Sequence, residues 1–274
     1  MNDLYIITGA TGGMGVAAAR RFKDCGDLLL LDLSEEKLEE LKNELGENVY
    51  TMVFDVSKAE DIEKVVDFIK PYGKFKALIH YAGVGCSQPW LTSKIIIDIN
   101  EKGTVDLVNA VYDYAEAGSV IITTSSLAAH NIPASEEVSK LIDESLETEN
   151  YDKLIEYCGD NTLYAYSYSK RAVVRFTKYS AVRFGEKGVR IVCISPGSIM
   201  TPMLQYEIDH GNESVIGDII SATPLKRLGQ PEDIADVTEY LVSDKASFIS
   251  GIDILVDGGA VYNMLRMRGE STEV

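Results

Sequence analysis

The 274 residues are 46% hydrophobic and 25% charged, which excludes a disordered chain and leaves enough apolar side chain for one large core. The formal net charge of −17 repels phosphate backbones and anionic membranes, so neither nucleic acid nor a membrane is an expected partner; solubility is the plain reading of the acidity. Cys25, Cys86, Cys158 and Cys193 lack the paired spacing of a zinc or redox site, no apolar run reaches the ~20 residues of a membrane span, and no leader pattern opens the chain, so no metal and a cytoplasmic location are expected.

The first predicted element is an apolar strand over 4–8. It runs into Gly9-Ala10-Thr11-Gly12-Gly13-Met14-Gly15, where a helix begins. Glycine lets the main chain approach a ligand closely, and a helix start points free N–H groups at phosphate. Gly9, Gly13 and Gly15 therefore read as a dinucleotide cradle. A second apolar run over 28–32 ends in Asp32, at about the ~20-residue interval expected for a carboxylate that accepts hydrogen bonds from ribose hydroxyls. It would repel a 2′-phosphate, and no Arg or Lys stands at 31–34, so NAD is expected over NADP. A helix over 35–45 follows.

Further apolar runs at 49–55, 77–82, 119–124, 189–194 and 252–256 alternate with helical patterning. The alternation predicts an α/β fold: one domain over 1–274, a Rossmann-type doubly wound parallel sheet of about seven strands with helices on both faces. Ligands of such sheets bind at the carboxyl ends of the strands, and Gly9, Asp32, Asp55, Gly83, Ser126 and Pro196 fall at or just after those ends. Residues 127–163 break the rhythm. They are acidic, with helical patterning around 136–147 and 150–158, and read as an insertion. It is expected to cover the site's mouth or shape an oligomer contact; passive surface decoration is the alternative.

After the insertion a long helix is predicted over 165–184. It carries Tyr166 and Lys170 four residues apart, hence on one face. The same spacing occurs at Tyr72 and Lys76, but there it lies in a glycine-containing turn before any strand that could present a partner hydroxyl, and a surface position is expected. A phenol titrates near ~10, so acting as a base at neutral pH needs a shift of roughly 3–4 kcal/mol. One cation at ~4 Å in a partly shielded site supplies about 4 kcal/mol. Lys170 is sufficient if the pair is shielded.

With these elements in place the chain resembles a short-chain dehydrogenase/reductase over nearly its whole length. The resemblance rests on Thr8-Gly9-Ala10-Thr11-Gly12-Gly13-Met14-Gly15, Asp55-Val56, Ala82-Gly83, Asn100, Ser126, Tyr166 with Lys170, and Pro196-Gly197 followed by Thr201. It implies Tyr166 as general acid/base, Lys170 lowering its pKa and holding the nicotinamide ribose, and Ser126 bonding the substrate oxygen. Asn100 would hold a water in a relay to Lys170. Gly9, Thr11, Gly13, Met14, Gly15, Asp32, Asp55, Val56, Ala82, Gly83, Ile199 and Thr201 would meet the cofactor with Tyr166 and Lys170. Asn100 as a helix-interior polar group and Thr201 as a helix cap are the milder alternatives.

Departures from the family pattern are also visible. Tyr81-Ala82-Gly83 stands where the family has Asn-Ala-Gly, so the neighbouring strand must find support elsewhere. Gly9, Gly12 and Gly15 also satisfy the spacing of the family's extended branch, but the chain ends soon after Asp257-Gly258-Gly259, which favours the short branch. Ser125 is the alternative catalytic serine. Ser125-Ser126-Leu127-Ala128-Ala129-His130, Leu163-Tyr164-Ala165-Tyr166, the long insertion and a Gly83–Asn100 stretch with little room for a separate helix resemble bacterial 3α-hydroxysteroid dehydrogenase/carbonyl reductases. Trp90, Leu127, His130, Ile132, Met203, Leu204 and Tyr206 are the candidate substrate contacts, with 202–222 expected to form a lid; His130 is expected as a pocket or structural residue rather than a catalytic one. The expected reaction interconverts a secondary alcohol, most simply a steroid or bile-acid hydroxyl, and its ketone. Other alcohols, sugars or 3-oxoacyl substrates, or a non-catalytic dinucleotide sensor, are the alternatives, and a homo-oligomer (dimer or tetramer) is expected.

Overall fold

The computed structural model describes residues 2–133, 135–210 and 214–269; Met1, Ala134, 211–213 and 270–274, which fall in the expected domain, insertion and lid, lie outside the described residues. Strand β1 (Leu4–Thr8) leads into helix α1 (Gly13–Phe22), followed by β2 (Asp27–Asp32), α2 (Glu35–Leu45), β3 (Val49–Val53), α3 (Ala59–Ile69) and β4 (Ala77–His80). Next come α4 (Ser93–Ile97), a π-helical turn (Asp98–Lys102), α5 (Gly103–Ala110) and β5 (Val120–Thr124). The insertion forms α6 (Ala128–Asn131), α7 (Glu136–Thr148) and α8 (Asp152–Cys158), ahead of α9 (Thr162–Glu186) and β6 (Arg190–Pro196). The chain then forms α10 (Pro202–His210), α11 (Ser214–Ala222), α12 (Pro231–Val242), β7 (Asp253–Val256) and α13 (Ala260–Met267).

The seven strands form one parallel sheet in the order β3-β2-β1-β4-β5-β6-β7. Successive strand side chains point to opposite faces, and in β1 both sets are apolar. Tyr5 and Ile7 join Leu28, Leu30 and Ile122 beneath Ala18 and Phe22 of α1, Leu38 of α2 and Ile234 and Leu241 of α12. Leu4 and Ile6 join Leu29, Leu31 and Ile121 against Ile62 and Val65 of α3, Leu107 of α5 and Phe176 and Phe184 of α9. Both faces are covered, which is why these strands read as continuous apolar runs. The strand order reverses between β1 and β4, opening a crevice at their carboxyl ends.

Local chemistry sets the boundaries. Helix α2 matches its predicted span because Ser34 caps it, accepting from Lys37 N at 3.4 Å, and Gly46 ends it at φ 109°. Helix α9 starts earlier than predicted because Asn161 Oδ1 accepts from Tyr164 N at 3.1 Å. β4 stops short of its predicted end because Ala82 N turns to the Thr8 hydroxyl, at 3.0 Å, instead of a strand carbonyl. The Gly83–Asn100 stretch does hold a helix: α4, capped by Thr92, runs through the π turn into α5. The insertion is a packed element. Val138 and Ile142 of α7 and Leu154 of α8 bury against Ile96 and Ile97 of α4 and Tyr168 and Ala172 of α9.

Candidate active site

Two joined clefts lie at the carboxyl ends of the central strands. The first encloses about 510 Å³, within the range of small-molecule sites. Its floor is the turn after β1, where Gly9 sits at φ +63° and any Cβ would lie 2.9 Å from Ala82 N, so only glycine fits. Helix α1 begins at Gly13 with no side-chain cap and no acidic residue in its first turn, which leaves its N–H groups and dipole facing the cleft. At the far end Asp32 Oδ2 accepts from Thr11 N at 2.9 Å and Oδ1 from Leu33 N at 2.7 Å. Lone pairs remain on both oxygens for ligand hydroxyls. A glycine turn under a helix start, with a carboxylate at one end, fits a dinucleotide.

The second cleft, about 280 Å³, shares Met14, Tyr81, Gly83, Val84, Thr201 and Met203 with the first. Ser126, Tyr166 and Lys170 all line it. The two serines differ: Ser125 is buried and its hydroxyl donates to Lys170 O at 2.8 Å, while Ser126 is half-buried and its Oγ accepts from Ala128 N at 3.2 Å. Both serines line the cleft, and Ser126 is the more exposed of the two. Lys170 is buried, its Nζ donates to Thr124 O at 3.1 Å, and desolvation pulls it down to about 8. A Cβ on Gly83 would lie 3.2 Å from that Nζ and 2.9 Å from Asn100 Oδ1, so the backbone there rests on both side chains. Asn100 is fully buried in the π turn; its amide accepts from Val84 N at 2.9 Å and donates to Val84 O at 3.0 Å.

Residues 4–137 match the short chain dehydrogenase family and residues 154–261 the family described as enoyl-(acyl carrier protein) reductase. The chain is 30% identical to a diacetyl reductase [(S)-acetoin forming] of Staphylococcus epidermidis, over 96% of this chain and 100% of that protein. It belongs to the short-chain dehydrogenase/reductase family. It is 27% identical to a 7alpha-hydroxysteroid dehydrogenase of Bacteroides fragilis, over 94% of each chain. An uncharacterized short-chain type dehydrogenase/reductase of Sinorhizobium fredii is longer: the match, at 28% identity, spans 93% of this chain and 43% of that one. A solved 7 alpha-hydroxysteroid dehydrogenase complexed with NADH and 7-oxo glycochenodeoxycholic acid superimposes with a TM-score of 0.76 at 26% identity, covering 94% of this chain and 93% of that one. Short-chain dehydrogenase/reductases are oxidoreductases of secondary alcohols and ketones that use nicotinamide cofactors, and that is the activity class of this chain.

The expected short-chain dehydrogenase/reductase residues distribute unevenly. Gly9, Thr11, Gly13, Met14, Gly15, Asp32, Asp55, Val56, Ala82, Gly83 and Thr201 line the first cleft, and Ile199 lines the second. Leu127, Met203 and Leu204 line the second cleft, but Trp90 lies on the first, beside Met203. His130 is not a cleft residue. Its Nε2 donates to Asp253 Oδ2 at 2.8 Å, because Asp253 stands on β7 directly behind α6. Ile132 packs with the insertion core, and Tyr206 stacks on His210 with ring centroids 4.0 Å apart; neither lines the clefts. Tyr72 and Lys76 are tied to Asp27 and Asp244, far from this end of the sheet. Lys37, Cys86 and Leu163 line the clefts without having been singled out as contacts. Lys37 lay just past the 31–34 window, in the first turn of α2, which sits over the end of β2.

Proposed function

We propose that the protein is an NAD-dependent dehydrogenase that interconverts a secondary alcohol and its ketone, with a hydroxysteroid such as a bile acid as substrate. The observation that carries this reading is that Ser126, Tyr166 and Lys170 share one cleft, joined to a cleft floored by the glycine turn. Tyr166 takes the alcohol's hydroxyl proton, and Ser126 hydrogen-bonds the same oxygen. Lys170, as a cation, favours the phenolate and reaches the ribose; Asn100 braces the loop beside it. When bound, the nicotinamide supplies the hydride acceptor that completes conversion of CH–OH to C=O. Gly9, Gly13, Gly15, Met14 and Thr11 hold the pyrophosphate end, Asp55 and Val56 the adenine, and Ala82, Gly83, Ile199 and Thr201 the nicotinamide half. Asp32 selects NAD by accepting from the ribose hydroxyls.

Support for a steroid is the lining of the second cleft. Val84, Leu127, Leu163, Met203 and Leu204 are apolar, and Lys170 is its single charged residue among those described. A flat apolar ring system suits such walls better than a phosphate-bearing acyl carrier. The likeness to the hydroxysteroid dehydrogenases agrees. A second reading, a small diketone or acetoin-type substrate, is favoured by the likeness to the diacetyl reductase. We also infer a homo-oligomer. The four thiols, with no disulfide among the described residues, fit a reducing compartment.

The test is NADH formation with a panel of bile acids and simple alcohols, with Tyr166→Phe as control. Turnover of bile acids alone supports the steroid reading, and turnover of acetoin alone replaces it with the second. Tyr166→Phe is expected to lose activity by roughly 10²–10⁴-fold with NAD affinity unchanged. Tight NAD binding without turnover of any alcohol would make the protein a dinucleotide sensor.

A further inference from the structure

His80, the last residue of β4, is buried one residue before Tyr81, which lines both clefts, and takes no part in the mechanism above. Its Nδ1 lies 2.7 Å from Thr8 Oγ1 and its Nε2 3.0 Å from Thr104 Oγ1. Each threonine has one further bond: Thr8 Oγ1 accepts from Ala82 N at 3.0 Å, and Thr104 Oγ1 donates to Asn100 O at 2.7 Å. These four contacts determine the protons. A carbonyl oxygen only accepts, so the Thr104 proton points at Asn100 O, and Thr104 Oγ1 must accept from His80 Nε2–H. Nδ1 is then bare and accepts the Thr8 proton, while the Thr8 lone pair takes Ala82 N–H. The opposite tautomer, or a doubly protonated ring, would leave the Thr8 proton without an acceptor inside the protein.

The bonds thus run one way: Ala82 N–H to Thr8, Thr8 to His80, His80 to Thr104, Thr104 to the Asn100 carbonyl. Such a chain polarises its members cooperatively in a dry interior. One end sits beside Gly9, on the floor of the first cleft. The other is the π turn whose Asn100 side chain, with Lys170 Nζ, abuts Gly83. Burial, with a smaller contribution from the charge of Lys170 on α9, drives the His80 imidazole down to about 3. The carboxyl of Glu101, next in chain to Asn100, is held instead by Ser145 of α7. The Thr8–His80 bond also ties β4 to β1, the strand support that Tyr81 cannot give in place of an asparagine.

We propose that His80 is a positioning residue: as the Nε2–H tautomer it relays a directional hydrogen-bond chain from the β1–β4 floor to Asn100, and so sets where Asn100 and Lys170 stand. The proposal rests on the reading above only for the statement that this placement serves turnover. Two measurements separate it from that reading.

The first needs no substrate. Imidazole nitrogen NMR of the full-length protein is expected to show His80 as the neutral Nε2–H form, unchanged across about pH 5–9. A Nδ1–H form, or titration in that range, overturns the proposal. The ε-carbon signal of Lys170 is expected to titrate near its depressed wild-type midpoint and, in His80→Leu, to move back toward the ordinary lysine range; an unmoved midpoint in the folded variant overturns it.

The second is kinetic. His80→Leu is expected to lower kcat by about tenfold or more with KM for the alcohol within about twofold and the alkaline limb of the pH profile displaced. His80→Gln, which keeps a donor toward Thr104, is expected to recover most of the loss. Wild-type kcat in folded His80→Leu, or no recovery in folded His80→Gln, overturns the proposal. If His80→Leu fails to fold, the wild-type tautomer and the Lys170 midpoint in His80→Gln, expected at its wild-type place, decide. If no alcohol is turned over at all, the functional reading fails while the tautomer and the Lys170 midpoint still judge the positioning.

Discussion

Lys170 takes a charge into a buried position at the wall of the second cleft. Its ordinary pKa of 10.5 falls to about 8 because burial penalises the ammonium and one carbonyl bond does not compensate. At pH 7 the side chain is still mostly protonated, so the cation required by the proposed role of Tyr166 is present. Its cost to the fold follows from linkage. Below pH 8 both folded and unfolded lysine are charged and the penalty, roughly 3 kcal/mol, is complete; it is relieved as pH rises from 8 toward 10.5. Lys170→Met is therefore expected to abolish turnover while raising stability by roughly 1–3 kcal/mol at neutral pH. Melts at neutral pH and near pH 10 check this; the stabilisation should shrink at the higher pH. Asp32, bonded to Thr11 N and Leu33 N, is the second residue with a proposed role that a substitution can test. Removing its carboxylate frees Thr11 N and takes away the ribose acceptor, so Asp32→Ala is expected to reduce the preference for NAD over NADP by about tenfold or more. The ratio of kcat/KM for the two cofactors measures it, and an unchanged ratio would put discrimination elsewhere, with Lys37 the first residue to examine.

At the scale of elements, the informative contact is between α7 of the insertion and the π turn. Glu101 is fully buried, its Oε1 accepts from Ser145 Oγ at 2.5 Å, and its Oε2 has no hydrogen-bond partner. The Tyr151 hydroxyl is buried nearby in the same condition. Desolvation holds the Glu101 carboxyl up at about 8, against an ordinary 4.5. The folded chain therefore keeps a proton that the unfolded chain releases, and stability falls as pH rises from 4.5 to 8, at most by about 1.4 kcal/mol per unit. Glu101→Gln keeps the shape and removes the ionisation. It is expected to raise the melting temperature at pH 8 and to leave it nearly unchanged at pH 4.5; equal shifts at the two values would mean that Glu101 is not docked as a neutral acid. The insertion's apolar face packs on α4 and α9, the helices next to Asn100 and bearing Tyr166.

At the scale of the molecule, the insertion covers the α4–α9 face, and the proposed pairing of copies would use another surface. β7 is an edge strand whose residues are all half-exposed, and Phe248 just before it is wholly exposed. Ile252 and Tyr262 are exposed as well. Large apolar side chains at this sheet edge, in a protein that otherwise carries a charge of −17, are where the proposed homo-oligomer would pair. The chain is expected to sediment as a multiple of 30.1 kDa, and Phe248→Glu to shift it toward the single-chain mass. A wild-type protein that sediments at the single-chain mass would refute the oligomer.

Much of this molecule was legible in the order of its residues. Apolar runs alternating with 3.6-periodic segments dictated a parallel sheet covered on both faces. The glycine turn, Asp32 and the Tyr166–Lys170 spacing were legible as candidates, because each depends on a short stretch of chain with a fixed geometry, and all of them line the two clefts. Tyr72 and Lys76 share that spacing but lie away from the clefts, Tyr72 half-buried against the core rather than on the surface. Tertiary structure alone decided that Ser125 donates to Lys170 O while Ser126 stays half-buried, that His130 turns to Asp253, that Trp90 belongs to the first cleft, and that α7 seals Glu101. It also assembled Thr8, His80, Thr104 and Asn100 into one chain of hydrogen bonds. The physical reason is range. A strand's alternation or a helix's i,i+4 face is set within a few bonds of backbone, whereas a buried polar contact depends on which distant segments meet in the dry interior, where each donor must find an acceptor.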